Sequence, residues 1–301
     1  MGPRYSFSAK YNPLTMNTKP EIMVSVCCIT YNHEQYIAGA LDSFLMQQTN
    51  FEFEILVGED CSKDATKSVI QGYMDRYPGR IRLIHHETNI GAIRNQVDVI
   101  TKSKGKYIAL CDGDDFWTDQ RKLQKQVDFL EANPEYVICC HHTKVINEHD
   151  EIVYLKEKPV SMEFDYQDVL LGKREETRIC SLMIRNIDAV RSVGQQAWYF
   201  DTYGTDTLFK LYALASTGKK IFVLPDVMAC YRLHTGGIWS MIDSRIRKRR
   251  MVSDFNLTIR NFKYSGWMKK ELLKIYIRQY FLFDLRNREI NNAMNTIMNL
   301  L

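Results

Sequence analysis

The chain has 301 residues, 45% hydrophobic and 25% charged, with a formal net charge of +4. That length allows one large domain or two smaller ones around a substantial core. The composition is that of an ordinary soluble protein, no apolar run reaches the roughly 20 residues of a bilayer span, and the small charge surplus singles out no partner.

Met1 to Glu21 is polar and lacks the apolar stretch of a signal peptide. It reads as a loose leader outside the fold. Met23 to Thr30 is apolar and β-prone and should form the first strand, with Tyr31-Asn32-His33 as a turn. Ile37, Leu41, Phe44 and Leu45 then recur at helical spacing within Glu34 to Gln48. Phe53 to Val57 is a second strand, and Ser62 or Asp64 is placed to cap a helix running to about Tyr77, where Pro78-Gly79 breaks it. Ile81 to His85 is a third strand, Asn89-Ile-Gly91 turns into a helix through Val97 and Ile100, and Tyr107 to Cys111 is a buried strand. This alternation with short loops predicts a parallel sheet with helices on both faces.

Downstream, Asp119 to Asn133 reads as a helix and Tyr136 to His142 as a strand. Asn147 to Asp150 is a hairpin turn, and Arg178 to Arg185 is a strand. Asp206 to Ser216 is a helix ended by Gly218, followed by short strands at Lys220 to Leu224 and Val227 to Tyr231. From about Met241 the pattern is helical and rich in Lys and Arg. The eight cysteines include no Cys-x-x-Cys pair, and most lie in apolar runs. They are expected to be buried and reduced, which points to the cytoplasm. The His85-His86 and His141-His142 pairs lack ligand spacing, so a zinc site is not expected.

Chemistry concentrates in Asp112-Gly-Asp-Asp115, directly after the buried strand. Ligands of open α/β sheets bind beyond the carboxyl ends of such strands. Three crowded acids repel one another and call for a cation or a set of donors. Oxygen ligands suit Mg²⁺ or Mn²⁺, while Gly113 lets the backbone turn tightly beside a ligand. The plainer alternative is a solvated acidic turn, with Asp115 capping the helix that starts near Thr118, but the position directly after a buried strand favours a ligand site.

Three further groups fall at the same sheet edge, and a fourth, made of Asp206 with Arg232 and His234, lies far downstream. In Thr30-Tyr-Asn-His-Glu34, Tyr31 is suited to stack on a base and Glu34 to accept hydrogen bonds, although both types also serve in ordinary turns. Glu59-Asp60 is suited to a ribose or base N–H, or else to helix capping. Arg94 either contacts diphosphate from a first helical turn or is a surface arginine. Asp206 is a candidate general base or an N-cap. Arg232 and His234, two apart on a strand, share a face that would reach phosphate or metal if it is not simply solvated.

Taken together, these stretches resemble the inverting glycosyltransferases of family 2, which have a GT-A fold. The resemblance runs from Met23 to about Ser240. Its pieces are Thr30 to Glu34, Glu59-Asp-Cys-Ser-Lys-Asp64-Ala-Thr66, Asn89-Ile-Gly91 with Arg94-Asn95, Asp112-Gly-Asp-Asp115, and Tyr231-Arg-Leu-His234. It implies an α/β, Rossmann-like mixed sheet, mostly parallel and flanked by helices. The nucleotide-sugar half would span about 22–118, the acceptor half about 119–240, and a helical extension 241–301. It also implies roles. Thr30, Tyr31, Glu34 and Asp60 frame the nucleobase, and Arg94 and Arg232 lie near the nucleotide and diphosphate. Asp112 with Gly113 faces the ribose. Asp114, with Asp115 and His234, holds Mn²⁺ or Mg²⁺, and Asp206 deprotonates the acceptor.

Two departures stand out: Glu59 replaces the usual Asp, and Thr205 replaces the usual Glu before the base. The Gln-x-x-Arg-Trp element of processive synthases is absent, which predicts transfer of a single sugar. The expected activity is metal-dependent transfer from a nucleotide-sugar, UDP-linked in first place, to a glycan or lipid-linked acceptor in surface polysaccharide assembly. A non-catalytic nucleotide-sugar-binding scaffold is the first rival. A nucleotidyltransferase is the second, but it should carry a Gly-rich phosphate loop where Tyr31 to Glu34 stand. The basic run Arg245 to Arg250 is either a solvated helix face or a contact with anionic membrane, where each basic residue contributes about 1 kcal/mol. Tyr264, Trp239 and Trp267 lie nearby in sequence. No nucleic-acid motif accompanies the run.

Overall fold

The computed structural model describes residues 21–237 and 242–301. The leader expected at 1–21 therefore lies outside the described residues except for Glu21, as do Trp239 and the boundary drawn at Ser240. The strands are β1 (Val24–Thr30), β2 (Phe53–Glu59), β3 (Ile81–His85), β4 (Tyr107–Leu110), β5 (Phe116–Trp117), β6 (Tyr136–Ile146), β7 (Ile152–Tyr154), β8 (Met162–Phe164), β9 (Met183–Arg185) and β10 (Lys220–Arg232). The helices of the sheet region are α1 (Ile37–Leu45), α2 (Thr66–Arg76), α3 (Ala92–Lys102), α4 (Lys122–Ala132), α5 (Tyr166–Leu170), α6 (Asp188–Arg191) and α7 (Thr205–Thr217). The C-terminal ones are α8 (Ser244–Asn261), α9 (Gly266–Tyr276), α10 (Leu282–Arg286) and α11 (Ile290–Leu300).

One mixed sheet runs in the order β3-β2-β1-β4-β9-β6-β10-β5, with β7 on β6 and β8 on β10. Strands β3, β2, β1 and β4 are parallel, as are β6 and β10. The short strands β5, β7, β8 and β9 pair antiparallel. Alternate residues of each strand feed two cores, as the two-residue period of a pleated strand requires. Val24, Val26 and Cys28 pack with α1, α2 and α4 through Leu41, Ile70 and Leu123. Cys27, Leu56, Ile108 and Leu110 face α3, α7 and the C-terminal helices through Val99, Leu211, Ile259 and Leu272. The extension thus covers one face of the sheet. Every cysteine except Cys61 is buried, and all are free thiols.

Three expectations are adjusted. The strands expected at Lys220 and Val227 are one long strand, β10, with an irregularity between Leu224 and Val227. Pro225 falls there and cannot donate to the ladder, so the strand bulges instead of ending. Arg178 to Arg185 is a single 3₁₀ turn, Ile179–Ser181, followed by β9. Asp115 does not cap a helix, because β5 intervenes and pairs with Ala229 and Cys230 of β10. Trp117 anchors β5: it is buried, packs against the Phe44 ring at 4.7 Å with the planes tilted by 59°, and donates to the Cys180 carbonyl at 2.9 Å. This pairing brings the end of β10 alongside the acidic turn.

Candidate active site

The carboxyl ends of β1, β2 and β4 open on the same edge. The loops after β1 and β2 are clasped together there. Asn32 N donates to Ser62 Oγ at 3.0 Å, His33 N to Thr66 Oγ1 at 2.8 Å, and Lys63 N to Asn32 Oδ1 at 2.8 Å. Glu34 Oε2 accepts from Ala65 N at 2.8 Å, so its carboxylate serves the clasp. Asn32 and Cys61 adopt left-handed φ of 56° and 60°, a conformation Asn tolerates better than most residues. The buried Glu59 accepts from Ser62 N at 2.6 Å and pairs with His85 at 2.8 Å. Asp60, also buried, accepts from the backbone of Ile90 at 2.8 Å and of Gly91 at 2.9 Å. Asp60 thereby fixes the turn into α3. Arg94 on the first turn of α3 is exposed and lies over the Phe200 ring at 4.7 Å.

The acidic turn is shaped by Gly113. A Cβ there would lie 2.7 Å from Thr30 Oγ1 and 3.0 Å from Ile37 Cδ1. The glycine is needed for close approach to β1 itself, and Thr30 is buried against it. The three acids then diverge. Asp114 Oδ2 lies 2.9 Å from His234 Nε2 and 3.8 Å from His33 Nε2. Burial opposes its ionisation, but the His234 hydrogen bond, and after it the interaction with the His33 ring, outweigh that and hold its carboxyl below the ordinary range. Asp115 is 2% exposed, and its Oδ1 accepts from Arg232 N at 2.8 Å. Burial and then the Asp114 charge push Asp115 well up, and burial with the Asp114 and Asp206 charges does the same to Asp112. Such mutual repulsion is what a bound cation relieves.

Asp206 enters this group from the first turn of α7. Burial disfavours its charge, yet Lys210 and Arg174 prevail and hold it below the ordinary carboxylate range. Lys210, one helical turn along and 1% exposed, lies 3.4 Å from Asp206 Oδ2 and donates to Thr177 O and Oγ1 at 2.6 and 2.8 Å. The segment before α7 is held by α8: Asp254 accepts from Tyr203 N at 2.8 Å and Gly204 N at 2.7 Å.

The structure therefore gathers Asp112, Asp114, Asp206, Arg232 and His234 at one edge. Arg232 spans outward from it, its Nε donating to the Asp114 carbonyl at 3.3 Å and its Nη1 pairing with Asp150 at 2.6 Å. Its guanidinium lies over the Tyr36 ring at 4.8 Å. Asp115 is turned toward β10 and away from the histidines. Tyr31 is partly exposed beside the clasp. Sequence reasoning missed His33, Lys210, Arg174 and Asp254. The i, i+4 spacing of Asp206 and Lys210 was a readable signal, and His33 lay inside a stretch whose neighbours Tyr31 and Glu34 were assigned roles while His33 was placed only in the turn.

His33, Asp114 and His234 place one ligand atom each within 4.8 Å of one another, the sole such set of three among the described residues. Burial lowers the His33 pKa despite the pull of Asp114, which favours the neutral imidazole that ligation needs. These residues fit a divalent cation. Of the basic run, Lys248 lies over Tyr280 at 4.9 Å and Arg250 over Tyr203 at 5.3 Å, while Arg245, Arg247 and Arg249 are exposed. Trp267 is half-exposed, and Tyr264 donates to the Ile259 carbonyl at 3.0 Å, closing the end of α8. Among the described residues no helix is long and apolar enough to cross a membrane.

The chain matches the profile of Glycosyl transferase family 2 over residues 25–193. It is 38% identical over 216 residues to an uncharacterized protein of Mycobacterium tuberculosis, covering 72% of this chain and 60% of that protein. The chain thus spans about 60% of the length of these curated relatives. It is 34% identical over 114 residues to the putative teichuronic acid biosynthesis glycosyltransferase TuaG of Bacillus subtilis, 38% of this chain and 43% of TuaG. Residues 1–349 of S. aureus TarS, solved with UDP-GlcNAc, superpose with a TM-score of 0.66 at 20% identity, covering 93% of this chain and 80% of that one. The mannosyltransferase PcManGT of Pyrobaculum calidifontis, solved with GDP-Man and Mn²⁺, superposes at 0.61 and 18% identity, covering 93% and 74%. These similarities in shape carry the GT-A fold.

Proposed function

Because the chain belongs to glycosyl transferase family 2, we propose that it is an inverting glycosyltransferase moving one sugar from a nucleotide-sugar to a hydroxyl of a glycan or lipid-linked acceptor, in surface polysaccharide biosynthesis. The observation that carries this reading is the arrival of Asp206, on α7, in the same acidic group as Asp112. A base held ionised by Lys210 can take the acceptor proton while the attacking oxygen displaces the diphosphate in line. Asp112 is the carboxylate for the ribose. Asp60, through the turn it fixes at Ile90 and Gly91, shapes the base end of the site with Tyr31, Thr30 and Glu34. Arg94 and Arg232 supply positive charge at its rim. A Mn²⁺ or Mg²⁺ held by Asp114 and His234, with Asp115 behind them, would when bound offset the charge of the leaving diphosphate.

A UDP-sugar is the first donor to test, in keeping with the nucleotide of the TarS complex, and a GDP-sugar the second, as in PcManGT. Acceptor selection falls to about residues 144–203. A cavity of about 320 Å³ where Lys144, Asp150 and Phe116 meet Arg232 supports that assignment. The exposed Arg245, Arg247 and Arg249 suit peripheral contact with an anionic inner leaflet, where a lipid-linked acceptor would be met.

The test is a panel of UDP- and GDP-sugars scored by thermal shift with and without Mn²⁺, since a ligand that binds the native state raises Tm by mass action. One donor class should give a Mn²⁺-dependent shift. No shift from any donor, with the protein folded, would count against donor binding to the free protein and leave a scaffold that binds no nucleotide-sugar or an acceptor-first order of binding.

The pH profile is a second check. Lys210 outweighs burial in keeping Asp206 below the ordinary carboxylate range, so the base is fully ionised at neutral pH and the acid limb of kcat/KM lies low. Lys210→Met removes that counter-charge. The Asp206 pKa then rises, and the acid limb moves to higher pH. An unmoved limb would separate Lys210 from the base.

A further inference from the structure

We propose that His33 is a third protein ligand of the divalent cation and that it makes the site favour a transition-metal ion over Mg²⁺. The inference rests on the reading that Asp114 and His234 hold that cation. Three observations carry it. First, the His33 and His234 Nε2 atoms converge on the same carboxylate oxygen, Asp114 Oδ2, at 3.8 and 2.9 Å. Donors bound to one ion at about 2.0–2.2 Å lie about 3 Å apart when adjacent and about 4 Å when opposite, and the three ligand atoms lie within 4.8 Å of one another, so small side-chain shifts would seat an ion. Second, His33 is held in place before any ligand arrives. Its backbone N–H donates to Thr66 Oγ1 at 2.8 Å, and its ring packs edge-on to His234 at 5.9 Å. Third, His33 Nδ1 is buried and has no hydrogen-bond partner among the described residues, so no described acceptor holds the ring in a structural role.

The donor set decides the ion. Mg²⁺ binds through carboxylates, waters and substrate phosphates, and takes imidazole poorly. Imidazole suits the later first-row ions, and two histidines with one carboxylate form a set that leaves coordination positions open to substrate oxygens. A site with Asp114 and His234 alone gives one imidazole. His33 makes it two, on a loop that belongs to the opposite end of the chain from His234.

The test is calorimetric titration of MnCl₂, CoCl₂ and MgCl₂ into the wild-type protein, His33→Asn, His33→Gln and His234→Ala, each with and without UDP or GDP. The visible absorption of the Co²⁺ form serves as a readout independent of turnover. The wild type should bind Mn²⁺ and Co²⁺ more tightly than Mg²⁺. His33→Asn and His33→Gln should each lose at least about tenfold in Mn²⁺ and Co²⁺ affinity, the cost seen even for an outer partner of a metal ligand, and little in Mg²⁺ affinity. The Co²⁺ bands should shift as an imidazole leaves. Unchanged melting temperatures would confirm that both variants fold, since the clasp uses the backbone of residue 33. If both bind all three ions as the wild type does, while His234→Ala loses them, the role of His33 is overturned and the metal site stands. If the wild type binds none of the ions under any condition, the metal reading falls and the inference with it.

Discussion

Asp206→Asn is expected to lower kcat by about 10²–10⁴-fold, the usual contribution of a positioned general base, while leaving the donor-induced thermal shift intact. The substitution keeps the shape of the side chain and removes its ability to take a proton. Lys210 keeps its bonds to Thr177 O and Oγ1 at 2.6 and 2.8 Å, so the buried ammonium is not orphaned and the fold should survive. The check is release of nucleoside diphosphate in the presence of acceptor, alongside donor binding. A loss smaller than tenfold would take the base role away from Asp206. A loss of donor binding would make it a binding residue instead.

Asp114→Ala should have an effect of similar size by a different route. A bound cation acting on a leaving diphosphate lowers the barrier by several kcal/mol, and each 1.36 kcal/mol is a factor of ten, so turnover should fall by roughly 10³-fold. The variant leaves His234 and His33 without their shared carboxylate, and the cluster loses its only acid. Unlike Asp206→Asn, it should also abolish the Mn²⁺-dependent part of the donor thermal shift. A Mn²⁺-dependent shift that persists in Asp114→Ala would move the cation to other residues, with Asp112 the first to examine.

The parallel half of the sheet was legible because its signals are local. Val24 to Thr30 and Tyr107 to Leu110 are apolar on both faces, as strands between two layers of helices must be. The acidic turn was legible because it follows such a strand directly. What escaped reading depends on contacts between distant segments. The β5–β10 pairing turns Asp115, expected beside Asp114 on the cation, into an acceptor for Arg232 N, and nothing near Asp115 in sequence announces β10. Gly113 was read as making room for a ligand, but its neighbour is Thr30, at the end of another strand. His33 points at Asp114 only because the loops after β1 and β2 are laced together, an arrangement that side-chain spacing cannot encode. Asp60 was recognisable as an acid beyond a strand, while its bonds to Ile90 and Gly91 follow from where α3 begins.

Asp254 gives the helical extension a meaning for anyone trimming the protein. Its carboxylate holds the backbone of Tyr203 and Gly204, immediately ahead of the helix that carries Asp206. Val252, Ile259, Leu272 and Tyr276 cover the same apolar face as α7. A fragment ending near Gly237 would keep every residue assigned to donor and cation, yet it would bare that face to solvent and leave the start of α7 unbraced. Such a fragment should be aggregation-prone rather than a minimal catalyst, and the smallest useful unit of this protein includes its last helices.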